Sequence, residues 1–248
     1  MEEITNKKFF TVNLNRSKLF IVSLALLLLT IFGCSSSPSN GNNGTPSSSG
    51  GASPTNSVAG SISTSDKPQD VLIKSVKALI AAKSFRARSE TTHPAASTQN
   101  AVFEYVAPDR FHMSIDSNVV GRASKSEYII IGKDSWMNRN GQGWTKAPMD
   151  MSEAISSIHN PKLLDEASKT NNIKLIGPET VDGIPTIVYQ YDIPTSDNSN
   201  LHLTGKSWIT VSNGMLHKLE VDDPDNKMTT IATYTDYNTP ITIEPPVK

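Results

Sequence analysis

From Ser84 onward the chain carries a period of two, and that limits what it can fold into. Phe85, Ala87, Ser89 and Thr91 alternate with Arg86, Arg88, Glu90 and Thr92. Phe111, Met113 and Ile115 alternate with His112, Ser114 and Asp116. Successive side chains of a strand point to opposite faces, so such runs read as antiparallel sheet with one face buried. Further strand-like runs are AVFEYV, EYIIIGK, residues 135–138 and 143–145, IKLIG, PTIVYQYDI, LHLTGKSWITV, MLHKLEV and MTTIATYTDY. Asn140-Gly141, Asp182-Gly183 and Asn213-Gly214 separate several of them, and such dipeptides favour two-residue hairpin turns. Ala107–Arg110 and Asp222–Asn226 read as further turns, and Pro240–Lys248 as an extended tail.

Two segments have helical spacing instead. Ser65–Lys83 places Leu72, Val76, Leu79 and Ile80 on one apolar face, with Pro68 in its first turn and Ser65, Asp66 and Asp70 at the positive end of its dipole. Met151–Ser168 carries Met151, Ile155 and Ile158 as a stripe, which Pro161 interrupts and Leu163 and Leu164 resume. Helix, strands, helical segment, strands is an α+β order. It predicts a strongly curved antiparallel sheet of about ten or eleven strands, with two or three helices covering its concave face.

The N-terminal region is of another kind. Leu19–Cys34 reads LFIVSLALLLLTIFGC, is uncharged, and follows Lys7, Lys8, Arg16 and Lys18. A basic start, an apolar run near the top of the ~7–15 residue range and a small residue at its end describe a secretory signal, and the run is shorter than the ~20 residues of a membrane-spanning helix. Ser35–Thr64 is Ser, Gly, Asn, Pro and Thr with almost no large apolar side chain, which reads as a flexible coil. Thirty such residues have a root-mean-square span of roughly 30 Å. Asn43-Gly44-Thr45 matches the glycosylation acceptor pattern, by chance in a segment of this composition. The chain therefore divides into a signal (1–33), a linker beginning at Cys34 (34–64) and one folded domain (65–248).

Charge and chemistry exclude several classes. Removing residues 1–33, with four basic and two acidic residues, takes the formal net charge from −1 to −3. Nothing there favours nucleic acid. Cys34 is the only cysteine, so no disulfide or thiolate metal site forms within one chain. His93, His112, His159, His202 and His217 show no metal spacing, and the Asp222–Asn226 segment lacks the central Gly and terminal Glu of a calcium loop. Neither a G-x-S-x-G elbow nor a phosphate-cradling loop occurs. No catalytic residue and no cofactor is expected. Trp136, Trp144, Trp208, Tyr189 and Tyr191 read as core or as a lipid-contacting wall.

Ile31-Phe32-Gly33-Cys34 resembles the lipobox of bacterial lipoproteins. That resemblance implies a diacylglyceryl group on the Cys34 sulfur, cleavage between Gly33 and Cys34, and acylation of the new amine. The rest of the chain resembles the LolA/LolB-like fold, within it the LppX/LprA/LprF/LprG type of lipoprotein. The residues that carry this are Ile80–Phe85, Tyr128–Gly132 followed by Trp136 and Trp144, Ser207–Val211 leading to Leu219–Val221, and Tyr234–Pro246. It implies an open half-barrel with an apolar cavity between sheet and helices that holds acyl chains, without catalysis, on a protein lipid-anchored on the extracytoplasmic side of the cell membrane. Expected cavity residues are Leu72, Val76, Leu79, Phe103, Tyr105, Phe111, Met113, Ile155 and Ile158. Expected partners are lipid or glycolipid acyl chains, the membrane through the anchor, and, on the rival reading, an envelope protein that the domain senses or docks.

Overall fold

The computed structural model describes residues 60–93, 97–147, 155, 160–194 and 202–246. Helix α1 (Pro68–Ala81) precedes strands β1 (Ser84–His93), β2 (Ser97–Val106), β3 (Arg110–Val119), β4 (Arg122–Ile131), β5 (Asp134–Arg139) and β6 (Trp144–Lys146). Helix α2 (Lys162–Lys169) follows. The chain then forms β7 (Asn171–Val181), β8 (Ile184–Ile193), β9 (Leu203–Thr210), β10 (Leu216–Asp223) and β11 (Met228–Thr235). All eleven strands lie in one antiparallel sheet, in the order β6-β5-β4-β3-β2-β1-β11-β10-β9-β8-β7. Two meanders are joined through a single non-sequential pair, β1 with β11, in register at Arg86–Thr235 through Thr92–Thr229.

This order makes β6 and β7 the two edges, although they follow each other in the chain. The connection between them has to cross the width of the sheet, and it carries α2. The sheet is therefore an open half-barrel; α1 packs on it with Val71, Leu72, Ser75 and Ala78 buried, and α2, in the segment that links the edges, packs against α1. Helix α2 meets α1 through Gln69, whose Nε2 donates to the Ala167 carbonyl at 2.5 Å. Both edges are blunted. β6 has only three residues; β7 contains Pro178 and two register shifts against β8.

Two of the three expected dipeptide turns form as their residues dictate, whereas at Asn213-Gly214 only Gly214 has a positive φ, within a longer connection from Thr210 to Leu216. Asn140-Gly141 and Asp182-Gly183 both have two successive positive φ angles, the requirement of a type I′ hairpin. A hairpin absent from the expected pattern joins β3 to β4 at Val120-Gly121, with φ of 51° and 77°. The pairing of β3 with β4 runs from Arg110–Ile131 to Val119–Arg122, well beyond the apolar alternation at 111–116 and 127–133. Ser117–Val119 and Arg122–Ser126 carry mainly polar side chains, so ladder hydrogen bonds rather than burial extend the strands there.

α1 begins with Pro68 in its first turn and Asp70 near its positive end, as expected, and Lys67 gives it no side-chain cap. Its deepest stripe is Val71, Leu72, Ser75 and Ala78, while Val76, Leu79 and Ile80 are half-buried beside it. The small Ser75 and Ala78 allow close approach, which turns the larger residues toward the margin. Ile62, from the segment read as linker, is buried, and its amide donates to the Val211 carbonyl at 2.9 Å. At the other end of the chain, Arg110 Nη1 donates to the carbonyl of the buried Ile243 at 2.6 Å, and Tyr237 donates to the Leu216 carbonyl at 2.8 Å. These contacts fold the C-terminal tail over the ends of the central strands.

Candidate functional site

Strand register fixes which side chains share the inner face. One row crosses the sheet as Ile115, Ala101, Ser89, Ala232, Leu219, Ser207, Tyr189 and Leu175, each paired with the next. The next row is Ser117, Gln99, Thr91, Thr230, Val221, Gly205 and Tyr191. The middle of the first row is Ala101, Ser89, Ala232 and Ser207 with Leu219 before the last of them, and the middle of the second is Thr91, Thr230, Val221 and Gly205. From Ala101 on β2 to Tyr189 on β8 is five strand spacings, about 24 Å along the sheet. No residue of either row is charged.

Larger side chains surround this lane, and its Ile115, Ala101 and Ala232 pack in the same cluster as many of them. Ala82, Phe85, Ala87, Ala101, Phe103, Tyr105, Phe111, Met113, Ile115, Ile130, Ile155, Ala232 and Tyr234 form one buried cluster. Within it Phe85 lies 5.2 Å from Tyr105 and 5.9 Å from Tyr234 between ring centroids, and Phe103 lies 5.9 Å from Phe111. Ile62, Val71, Leu72, Ile187, Tyr189 and Ile209 form a second cluster under α1.

The expected cavity residues can be placed against this frame. Phe103, Tyr105, Phe111, Met113 and Ile155 come together in the first cluster, and half-buried Leu79 packs against it. Leu72 belongs to the second cluster, and Val76 is half-buried. Ile158, Gly33 and Cys34 lie outside the described residues. Tyr189 and Tyr191, read from the sequence as core or lipid-contacting wall, stand at the end of the lane; its small residues were missed, because only the pairing of β8 through β11 with β1 brings them into line.

Gly205 shows how tightly this end is built. A Cβ there would lie 2.5 Å from Cε2 and 2.8 Å from Cζ of Tyr191, so the phenol ring covers the bare glycine backbone. The Tyr191 hydroxyl lies 2.8 Å from Ser207 Oγ. Burial raises the Tyr191 phenol above its ordinary value of 10, and the Ser207 contact offsets part of that. Tyr105, Tyr234 and Tyr237 are likewise raised, first by burial and then by a nearby Asp109, Tyr191 and Tyr234 respectively. All these phenols stay protonated at neutral pH, which keeps the inner face without charge. Tyr189 is fully buried, and its hydroxyl has no hydrogen-bond partner among the described residues.

The outer face has the opposite character. Glu104 accepts from Arg86 Nε at 2.8 Å and lies 3.1 Å from His112 Nδ1, while Arg86 Nη1 reaches Asp236 at 3.1 Å. Trp208 is buried on this side. Its Nε1 donates to Glu179 at 2.9 Å, and Lys206 and Lys218 lie over its ring at 4.7 and 4.2 Å. Register puts Trp136 and Trp144 on the outer face too, paired with Ile129 and Asn138. Trp208 is therefore core, held from outside, and none of the three tryptophans faces the lane. A depression of about 350 Å³ at the β7–β8 edge is lined by Asn172, Lys174, Gln190, Tyr191 and Asp192, and its walls are mainly polar.

Comparison with solved structures finds this architecture in LprF from Mycobacterium bovis, at 16% identity and a TM-score of 0.55, covering 76% of this chain and 100% of that one. The chain has the fold of that protein, an open half-barrel. The lipoprotein LppX from Mycobacterium tuberculosis matches at 17% identity and a TM-score of 0.55, over 71% of this chain and 98% of that one. The resemblance expected from the sequence thus holds for the fold. No protein-family model matches the sequence, nor does any curated protein.

Proposed function

We propose that this protein is a lipoprotein, anchored through Cys34 on the extracytoplasmic side of the cell membrane, that binds acyl chains of lipids on the inner face of its half-barrel and carries out no catalysis. The observation that carries the reading is the uncharged lane, rich in small side chains, that runs through one apolar cluster and ends at Tyr189 in a second. Ala, Ser and Gly side chains set among aliphatic and aromatic ones would let a slender apolar guest lie across the sheet. An unfilled apolar hollow lacks dispersion partners along its lining, and a hydrocarbon chain supplies them with little directional demand. Two or three acyl groups on Cys34, at ~0.8 kcal/mol per buried methylene, hold a protein stably where one does so only marginally. The fold of LprF and LppX supports the reading.

Native mass spectrometry of the soluble domain purified without detergent tests the binding. The expected spectrum contains adducts of lipid mass that a fluorescent fatty acid displaces. Protein that is empty and also takes up no fatty acid removes the proposal. Labelled palmitate incorporated by the full chain, and lost in Cys34→Ser, tests the anchor separately.

A second reading, docking of an envelope protein, rests on Leu175, Ile176 and Ile184 of β7 and β8, which are 39, 53 and 36% exposed. Ile176→Asp removes a captured partner on that reading and leaves lipid adducts in place.

A further inference from the structure

The acyl-binding reading leaves open where the polar end of the guest lies. Tyr189 stands at the β8 end of the lane, directly beyond Ser207 in the same row. It is 0% exposed, and its hydroxyl is buried without a hydrogen-bond partner among the described residues. The other members of its cluster are Ile62, Val71, Leu72, Ile187 and Ile209, none of which has a side-chain acceptor. Its row neighbour Ser207 is engaged by Tyr191 at 2.8 Å. Phenylalanine would fill this place without burying a hydroxyl that receives nothing in return. Burial, and after it the charge of Asp66, raise the Tyr189 phenol above its ordinary value, so it remains a donor at neutral pH.

We infer that Tyr189 is the hydrogen-bond donor for the ligand, serving the carbonyl oxygen of an acyl ester or fatty acid whose chain runs from β8 toward β2 over Ser207, Leu219, Ala232, Ser89 and Ala101. This inference rests on the acyl-binding reading and gives the guest a direction. The oxygen sits beneath the N-terminal half of α1, against Val71 and Leu72, and the methyl end points toward Phe103, Met113 and Ile115. One neutral hydrogen bond orients the chain without selecting for charge, which fits an uncharged lane. Esters and free acids present the same carbonyl and both qualify.

Tyr189→Phe preserves the ring and removes only the donor. Affinities for methyl palmitate, palmitic acid and hexadecane are measured by displacement of a fluorescent fatty acid from wild type, Tyr189→Phe and Tyr191→Phe. The loss of one neutral hydrogen bond predicts weakening of about three- to tenfold for the ester and the acid in Tyr189→Phe. Hexadecane stays within about twofold, and Tyr191→Phe, whose hydroxyl already serves Ser207, shows no such split. The carbonyl stretch of labelled methyl palmitate lies at lower frequency on wild type than on Tyr189→Phe. Ligand-free Tyr189→Phe melts no lower than wild type, because it gives up no partner. Equal loss for ester and alkane, no loss for either, an unshifted carbonyl band or a lowered melting temperature overturns the assignment of Tyr189 alone. A wild type that binds none of the three ligands overturns the acyl-binding reading beneath it.

Discussion

Gly205→Ala is the sharpest test of how the lane is built. The new Cβ would sit 2.5, 2.8 and 3.1 Å from Cε2, Cζ and Cδ2 of Tyr191. Carbon atoms prefer about 3.5–4.0 Å, so the ring has to move by roughly 1 Å. The ring is the side of the contact that can yield, since the glycine belongs to paired backbone in the middle of β9. Moving it takes the hydroxyl off Ser207 Oγ, now at 2.8 Å. Overpacking of this kind costs about 1–3 kcal/mol, and the lost hydrogen bond about 1 kcal/mol. Against this, alanine gains about 0.5–1 kcal/mol over glycine in a strand with ordinary φ. The expected net loss is about 1–3 kcal/mol in urea unfolding.

A double-mutant cycle separates this cause from a general intolerance of change. With Tyr191→Ala in place the ring is gone, and Gly205→Ala becomes neutral or stabilising by up to about 1 kcal/mol. The two substitutions then couple by about 2 kcal/mol, well outside the ~0.5 kcal/mol scatter of independent sites. An additive cycle refutes the contact and with it the geometry of this end of the lane. Because the displaced ring swings over the lane, Gly205→Ala also weakens fatty-acid uptake more than its stability loss explains.

Three further outcomes follow from individual contacts. Val120 is a β-branched residue at φ 51° and 73% exposed, so Val120→Asn relieves backbone strain and raises stability by about 1 kcal/mol in thermal unfolding; an unchanged midpoint counts against the type I′ turn. Glu179→Ala leaves the buried Trp208 Nε1 without its acceptor and costs about 1–3 kcal/mol, whereas Glu179→Gln keeps an acceptor and recovers most of the loss; equal losses in both would show that charge, not the hydrogen bond, matters. Burial acts to raise the Glu104 carboxyl, but hydrogen bonds from Arg86 and His112 outweigh it and hold the group below its ordinary value of 4.5. A depressed carboxyl stabilises above the unfolded value and loses that contribution as pH falls through the folded one. The stability gap between wild type and Glu104→Gln is therefore full at pH 7 and closes below about pH 4.5; a gap constant with pH contradicts the ion pair.

How much of this was legible beforehand depends on which physical signal each residue sends. β1, β2 and the first half of β3 announce themselves because Phe85, Phe103, Phe111 and Met113 alternate with charged or polar residues, and burial of one sheet face selects for that alternation. The same signal collects Phe103, Tyr105, Phe111 and Met113, and the structure does bring them into one cluster. It fails at Arg122–Ser126, where strand pairing is held by backbone hydrogen bonds and the side chains carry no pattern.

The lane is invisible for a different reason. Ala101, Ser89, Ala232 and Ser207 contribute little hydrophobic signal, and their alignment depends on β1 pairing with β11 across most of the folded chain. A pattern read along one strand reports what each face buries but not which strand lies beside it. Size complementarity across a sheet is therefore a property of register, and register here is decided by one long-range pair. Tyr189 illustrates the consequence. Along its own strand it reads as one more aromatic in PTIVYQYDI. Only when Ser207, Leu219, Ala232 and Ser89 are set beside it does its hydroxyl, without a hydrogen-bond partner among the described residues, stand at the end of an uncharged path, and as the proposed donor it takes a role that phenylalanine could not fill.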